Sequence, residues 1–271
     1  MSGEKPMFPE QRLNELLALL RERGVVRIAE MARHFSVSRE TIRRDLAELE
    51  ERGLVRKVHG GAVLAGPRSQ EPPYATRMVS MVEEKRRIGE AAAALVRDGE
   101  SLLLDLGTTT LEVARHLRGR RGLTVITNSV PAALTLVEEP GVEVFLTGGR
   151  LRGGDHSLSG SWALRSIGEV FVDKAIVGAG GLTLEHGVTD YHMEEAATRR
   201  AMIQKAREVI VVADSSKFGV TALAAVMPVT AIDHLVTDAG APPEVLRELE
   251  KAGVRVTVVP VPGRDADDAE P

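Results

Sequence analysis

The chain has 271 residues, with 43% hydrophobic and 27% charged side chains and a net charge of −4, enough for one small and one ordinary globular domain. Having no cysteine excludes disulfides, thiolate metal sites and cysteine nucleophiles; no apolar run nears the roughly 20 residues that span a bilayer, and the polar start Met1-Ser2-Gly3-Glu4-Lys5 has no apolar signal core, so a cytoplasmic protein is expected. The charge is uneven: residues 1–68 carry 13 basic against 10 acidic side chains, net +3, and the remainder 22 against 29, net −7, which puts the basic excess near the amino end.

From Gln11 to Arg23, Leu13, Leu16, Leu17 and Leu20 recur at helical spacing as far as Gly24, a natural stop. Val25-Val26-Arg27 reads as a brief extended segment. Ile28, Met31, Ala32 and Phe35 then mark one face of a short second helix, and Ser36-Val37 turns tightly into a third. That helix, Ser38 to Leu49, puts Ile42, Leu46 and Leu49 on one side; at roughly 100° per residue, Glu40 and Arg44 point away from them and Thr41 and Arg43 flank the exposed face. Ser38 is a good N-cap, and arginine offers a bidentate fork for guanine O6 and N7 or for phosphate. Taken alone, the segment reads first as an ordinary solvated helix laced with Glu–Arg pairs. A helix and a tight turn before it make it instead the second helix of a helix-turn-helix, the one that enters the major groove. After Gly53, Leu54 to Leu64 reads as two short strands around a glycine turn, a wing that would set Arg56, Lys57 and His59 beside a duplex. His59 reads equally as a surface side chain that caps the turn.

Residues 12–62, with Val37-Ser38-Arg39-Glu40-Thr41-Ile42-Arg43-Arg44-Asp45-Leu46 and then Arg56-Lys57-Val58-His59-Gly60-Gly61-Ala62, resemble the DNA-binding domain of the DeoR family of bacterial transcriptional regulators. The resemblance implies that Ser38, Arg39, Thr41, Arg43 and Arg44 form the recognition surface, with Arg56 and His59 in the wing. It also implies that an effector domain follows.

Residues 65–82, with Gly66-Pro67-Arg68-Ser69 and Glu71-Pro72-Pro73, resist regular structure and read as an exposed linker. Helical pattern resumes near Glu83, with Ile88, Ala91, Ala92 and Leu95 on one side, and stops near Asp98-Gly99. Strand-like apolar runs follow at Leu102–Leu106, Leu123–Thr127, Val142–Thr147, Lys174–Gly178, Val209–Ala213, Ile232–Thr237 and Val254–Val259. Helical segments at Thr109–Leu117, Val130–Val137, Glu194–Ala206 and Pro243–Ala252 separate several of them. Alternating buried strands and helices predict a mainly parallel, Rossmann-like layered α/β domain, whose ligands sit at the carboxyl ends of the strands.

Those ends hold the polar, glycine-rich pieces. Asp105-Leu106-Gly107-Thr108-Thr109-Thr110 opens directly into a helix and combines flexible backbone, hydroxyls and free amides, a setting for phosphate. Thr127-Asn128-Ser129 and Thr147-Gly148-Gly149-Arg150 follow the next two strands. Singly, each is also an ordinary turn: Gly107 a bend, Asn128 an N-cap, Gly148-Gly149 a corner. Their recurrence at three successive strand ends points to a shared pocket. Asp214-Ser215-Ser216-Lys217 follows a later strand, and Lys217 would bring positive charge to a phosphate or carboxylate, unless it is a solvated loop lysine. Gly180-Gly181 and the turn His186 to Asp190 are further pieces that would close the pocket. His186, Asp190 and His192 do not group into a firm ligand set, so no metal and no cofactor are expected.

The family resemblance continues to about Asp238. It implies an effector domain similar in fold to ribose-5-phosphate isomerases that senses a phosphorylated sugar, with Gly107, Thr108, Thr109, Thr110, Asn128, Ser129, Gly148, Gly149 and Lys217 as ligand contacts. The same kinship raises an alternative, a sugar-phosphate isomerase fused to a DNA-binding domain. Such isomerases carry an Asp-Gly-Ala-Asp motif and a glutamate base. Here Val177-Gly178-Ala179-Gly180 stands in the first place and Arg199 near the second, and an arginine that stays protonated cannot move a proton between carbons. The expectation is therefore a winged helix-turn-helix domain at 1–64, a linker at 65–82, a sugar-phosphate-sensing α/β domain at 83–262 and an acidic tail at 263–271. The expected partners are double-stranded operator DNA, a phosphorylated sugar and further copies of the chain in a dimer or tetramer, with no membrane.

Overall fold

The computed structural model describes residues 8–23, 25–58, 60–64 and 70–261. The chain divides into two compact units, one up to Ser80 and one from Met81.

The first unit contains α1 (Pro9–Arg23), β1 (Val25–Arg27), α2 (Ile28–His34), α3 (Arg39–Glu51), β2 (Val55–Val58), β3 (Gly61–Leu64) and α4 (Tyr74–Val79). The leucines of α1 meet Met31 and Ala32 of α2 and Ile42, Leu46 and Leu49 of α3 in one buried cluster, which Val26, Val55 and Ala62 close from the sheet. That sheet is antiparallel with order β1-β3-β2, so the brief extended segment read at Val25 becomes the third strand of the wing. A buried ion pair also ties α1 to α3: Arg12 Nε and Nη2 donate to Asp45 Oδ2 and Oδ1 at 2.5 and 2.9 Å. Inside the stretch read as irregular, residues 74–79 are helical. Pro72-Pro73 presets the backbone before a first turn, and Arg77 ties that turn back by donating to Pro72 O at 3.2 Å and pairing with Glu71 at 3.0 Å. Residues 65–69 and the acidic tail lie outside the described residues.

The second unit runs α5 (Val82–Ala94), β4 (Ser101–Leu104), α6 (Thr108–His116), β5 (Leu123–Thr127), α7 (Val130–Leu136), β6 (Val142–Leu146), β7 (Arg150–Arg152), β8 (Ser157–Ser159), α8 (Ser161–Gly168), β9 (Val172–Gly178), β10 (Gly181–Thr183), β11 (Gly187–Asp190), α9 (Met193–Lys205), β12 (Ala206–Val212), β13 (Ala224–Met227), β14 (His234–Asp238), α10 (Pro243–Lys251) and β15 (Arg255–Val259). Seven strands form a parallel sheet in the order β15-β14-β12-β9-β4-β5-β6. The centres of its strands are largely apolar because successive side chains enter two different cores. Leu103, Ala175, Val177, Val209 and Val211 pack with α8, α9 and α10, whereas Leu102, Leu104, Ile176, Ile210 and Val212 pack with α5, α6 and α7.

From β4 the chain moves outward through β5 and β6, then returns to lay β9 on the other side of β4. The strand order thus reverses between β4 and β9, and the crevice outside their carboxyl ends is where such a sheet accommodates a ligand. Two small antiparallel pieces sit beyond these ends: the arm β7-β8 and the three-stranded β10-β11-β13. The stretch read as a turn from His186 to Asp190 is a turn only at His186; Gly187–Asp190 form β11, Gly181 opens β10, and β11 is completed by β13, about forty residues further on.

Candidate DNA-binding face and strand-end site

On α3 the local sequence builds an exposed cationic surface. Ser38, in extended conformation, caps the helix by accepting from Thr41 N at 3.0 Å, and its hydroxyl also meets that of Thr41 at 2.8 Å. Arg43 and Arg44 leave 61% and 80% of their side chains in water. Each stands about one turn from Glu40, at 3.6 and 3.5 Å, and exposed pairs of this kind are worth little, so both guanidinium groups can exchange Glu40 for phosphate or a base edge. Arg39 is exposed on the same helix. Lys57 ties the wing to α3, its backbone N–H donating to Glu50 at 2.8 Å and its ammonium pairing with the same carboxylate at 3.1 Å. The Lys57 N–H is also the main cause that holds the Glu50 carboxyl below its ordinary range. His59 and the side chain of Arg56 lie outside the described residues.

In the second unit the expected loops all sit at the carboxyl ends of parallel strands: 105–110 after β4, 127–129 after β5, 147–150 after β6 and 213–217 after β12. Gly107 takes φ +137° at the start of α6, which no side chain caps. The first amides of that helix are therefore left for an anion, with the Thr108 and Thr109 side chains packed beside them, each residue 7% exposed. Thr110 is fully buried and donates to Gly107 O at 3.0 Å, so its hydroxyl serves the turn itself. Asp105 is likewise engaged inward, accepting from Gly178 N at 3.0 Å and Arg199 Nε at 2.5 Å. Ser129 caps α7 through Ala132 N at 3.3 Å.

Asn128 is fully buried with Oδ1 unpaired, and Thr147 Oγ1, Asp214 Oδ2 and Thr237 Oγ1 are unpaired as well. These four atoms belong to the ends of β5, β6, β12 and β14. A buried polar atom without a partner costs about 1–3 kcal/mol, so a row of them at one end of a sheet fits a polar guest or ordered water. Lys217 is half-buried on the turn that Asp214 caps through Ser216 N at 3.1 Å. Burial pushes the Asp214 carboxyl up, but Lys217 and Lys85 outweigh it and hold the group ionised, below its ordinary range. Gly148 is exposed, and Gly149, at φ +129°, lies so close to Ser159 that a Cβ would fall 2.4 Å from its carbonyl oxygen.

Of the charged residues beside these loops, sequence reasoning names Arg199 and Asp190 without their pairing and misses Glu195, Arg152 and Lys85. Arg199 of α9 is buried between Asp105 and Asp190, bonding both. Burial opposes its charge, yet the two carboxylates raise its pKa above the usual arginine value. The other Asp190 oxygen accepts from His192 N at 2.8 Å, so Asp190 is spent on the fold and His186 stands exposed beside Glu185. Glu195 is buried next to this group. Burial, then the charge of Asp190, pushes its carboxyl from 4.5 up to about 8, against the pull of Arg152 and Arg199. Arg152 Nη1 stands 3.0 Å from Glu195 Oε1 without the alignment of a hydrogen bond. Lys85 of α5 is buried, on the Asp214 side. The available sequence signal was α9 itself, a helix of Glu194, Glu195, Arg199 and Arg200 that has no clean apolar stripe and nonetheless had to be covered by the sheet.

The β7-β8 arm folds back over Asn128. Leu158 N donates to Asn128 O at 2.8 Å and Val130 N to His156 O at 3.1 Å. Arg150 and Ser159 both bond Glu194 at the start of α9, at 2.5 and 2.9 Å. The loops after β5 and β6 are thus linked to α9 by one arm.

Two family models cover most of the chain: a DeoR-like helix-turn-helix domain matches residues 12–68 and a DeoR C-terminal sensor domain matches residues 80–239. The HTH-type transcriptional repressor GlcR of Bacillus subtilis is 38% identical over 86% of this chain and 89% of its own length. The glycerol-3-phosphate regulon repressor of Escherichia coli is 36% identical over 90% and 96%, and the HTH-type transcriptional regulator GolR of Listeria innocua 33% identical over 93% and 99%. Among solved structures, eIF2B beta of Chaetomium thermophilum aligns with 84% of this chain and 87% of its own at 15% identity and a TM-score of 0.51, a likeness of fold. Ribose 5-phosphate isomerase A of Methanocaldococcus jannaschii aligns with 49% of this chain and 53% of its own at 19% identity and a TM-score of 0.38. With an exposed arginine face on a winged helix-turn-helix and a layered α/β sensor domain after it in the chain, the protein belongs to the DeoR family of transcriptional regulators.

Proposed function

We propose that this regulator represses an operon of sugar or related carbon metabolism, and that a phosphorylated sugar bound at the strand ends changes its affinity for operator DNA. The observation that carries the reading is the meeting of an uncapped helix start at Gly107, unpaired buried polar atoms at Asn128, Thr147 and Asp214, and the Lys217 ammonium at one end of one sheet. Phosphate takes the amides and the lysine, and sugar hydroxyls take the remaining polar atoms. Gly148 and Gly149 leave backbone accessible beside them. On the DNA side, Ser38, Arg39, Thr41, Arg43 and Arg44 face the major groove while Lys57, with Arg56 and His59, follows the flanking phosphates.

The domain binds its ligand without turning it over. Where aldose–ketose isomerisation needs a carboxylate base, Arg199 is locked between Asp105 and Asp190 and cannot accept a proton. A panel of pentose and hexose phosphates tests both halves. At least one member raises the melting temperature of the protein, Lys217→Ala abolishes that rise, and no isomerised product accumulates. On DNA, Arg44→Ala weakens operator binding by about 1–3 kcal/mol, roughly 5- to 150-fold, with the sugar-phosphate response intact. Unchanged DNA affinity would take α3 out of its assigned role, and isomerised product would restore the enzyme reading.

A further inference from the structure

The sheet of the second unit ends on β6, and that edge is bare. Among the described residues β6 is hydrogen-bonded to β5 alone, so one row of its backbone N–H and C=O groups faces outward. The side chains around this row are apolar and in water. Phe145 is 50% and Leu146 46% exposed on the strand, and α7, which packs on β6, exposes Leu134 at 69% and Val137 at 55%. Trp162, 73% exposed, adjoins the end of the strand, where a Cβ at Gly148 would lie 3.7 Å from its own.

An open strand edge is a template for another strand, and a protein that keeps one free places charged side chains, especially lysine, or proline or a bulge on it. The other end of the sheet follows that rule: β15 opens with Arg255, exposed and bonded to Glu208 at 2.5 Å. On β6, Val142-Glu143-Val144-Phe145-Leu146, the one charge is the exposed Glu143, and the strand has no basic residue, no proline and no register shift against β5. The five exposed apolar side chains leave on the order of 500 Å² in water, near the upper end of what a monomer exposes in one patch. That is most of the roughly 800 Å² per partner of a standard interface.

We propose that β6 pairs with β6 of a second copy of this chain, antiparallel across a two-fold axis, joining two seven-stranded sheets into one. The strand itself selects this occupant. A two-fold axis offers one edge to its own image, and centred on Val144 it sets Glu143 of each copy opposite Phe145 of the other and Val142 opposite Leu146. No like charges face one another, and the apolar residues of α7 and Trp162 close over the seam from its two sides.

The absence of cysteine from the chain makes the test clean. In the full-length protein, Val144→Cys places a single thiol on the axis, where antiparallel neighbours stand about 4.5–5.5 Å apart at Cβ. Mild oxidation then yields covalent dimer in most of the protein, while the same treatment of Val258→Cys, on exposed β15, yields little. Sedimentation velocity supplies the second reading. The wild-type protein sediments as a dimer or a multiple of it, and Phe145→Glu with Leu146→Glu halves its mass at unchanged far-ultraviolet circular dichroism. The proposal is overturned by a monomeric wild-type protein, by Val144→Cys that stays uncoupled in an oligomer, or by equal coupling at Val258→Cys. Neither DNA nor sugar phosphate enters the test, so its outcome is independent of the regulatory reading.

Discussion

At the scale of single residues, the strand-end site is unusual in how many charges it buries. Asp105, Asp155, Asp190 and Glu195 share the surroundings of Arg152 and Arg199, two more acids than bases, and a proton left on Glu195 removes half of that excess. Its carboxyl, raised to about 8 by burial and by Asp190 from an ordinary 4.5, holds a proton in the folded protein that the unfolded chain has already released. Between these two values the folded state binds more protons, so the contribution of Glu195 falls as pH rises through the window and is flat outside it. The expected loss is on the order of 2–4 kcal/mol. Glu195→Gln, permanently neutral at the same volume, escapes it. Urea unfolding of both proteins at about pH 5 and about pH 8 should therefore show the variant gaining on the wild type by that amount at the higher pH. Parallel pH profiles would mean that Glu195 is ionised in the fold and that Arg152 and Arg199 neutralise it.

At the scale of elements, the β7-β8 arm depends on one close approach. Gly149 combines φ +129° with a Ser159 carbonyl 2.4 Å from where a Cβ would be, whereas Gly154, at the tip of the same arm with φ +97°, faces open space. Gly149→Ala therefore suffers backbone strain and collision together and should cost about 1–3 kcal/mol, against a smaller loss for Gly154→Ala. Thermal melts of the two variants compare them directly, and equal losses would show that the arm moves aside without cost. The arm also marks where sequence reading stops. The seven long strands were legible as Val-, Ile- and Leu-rich runs, and α1 to α3 as periodic apolar stripes, because burial on two faces or one leaves a strong pattern. Ser157-Leu158-Ser159 and Gly181-Leu182-Thr183 carry no such pattern, and what makes them strands is a partner elsewhere in the chain. For the same reason Gly107, Asn128 and Lys217 could be picked out as loop residues after apolar runs, and Arg199 only through the isomerase resemblance, while Glu195, a charged residue in the first turn of a helix without a clean apolar stripe, gives no sign in the sequence that it is buried.

At the scale of the whole molecule, regulation requires that the sugar phosphate bind one arrangement of the protein better than another, by a difference that sets how far DNA affinity can move. This coupling is reciprocal: whatever factor the ligand applies to operator affinity, operator applies to ligand affinity. A working regulator of this kind has a coupling of about 1–3 kcal/mol, roughly 5- to 150-fold. The measurement needs an operator fragment selected from genomic DNA with the purified protein and the member of the phosphosugar panel that gives the largest thermal shift. Operator affinity is titrated with and without the sugar phosphate, and sugar-phosphate affinity with and without saturating operator, all at one salt concentration because phosphate contacts such as those proposed for Arg43, Arg44 and Lys57 would make DNA binding salt-dependent. Equal factors in the two directions place sensing and DNA binding in the same protein. Lys217→Ala, which lies in the second unit, should then reduce the response of operator affinity to the sugar phosphate while leaving affinity for DNA alone intact. A change in operator affinity with no matching change in ligand affinity would mean that the ligand acts on something other than this chain, and no change in either would leave a DNA-binding protein whose strand-end site serves a different purpose.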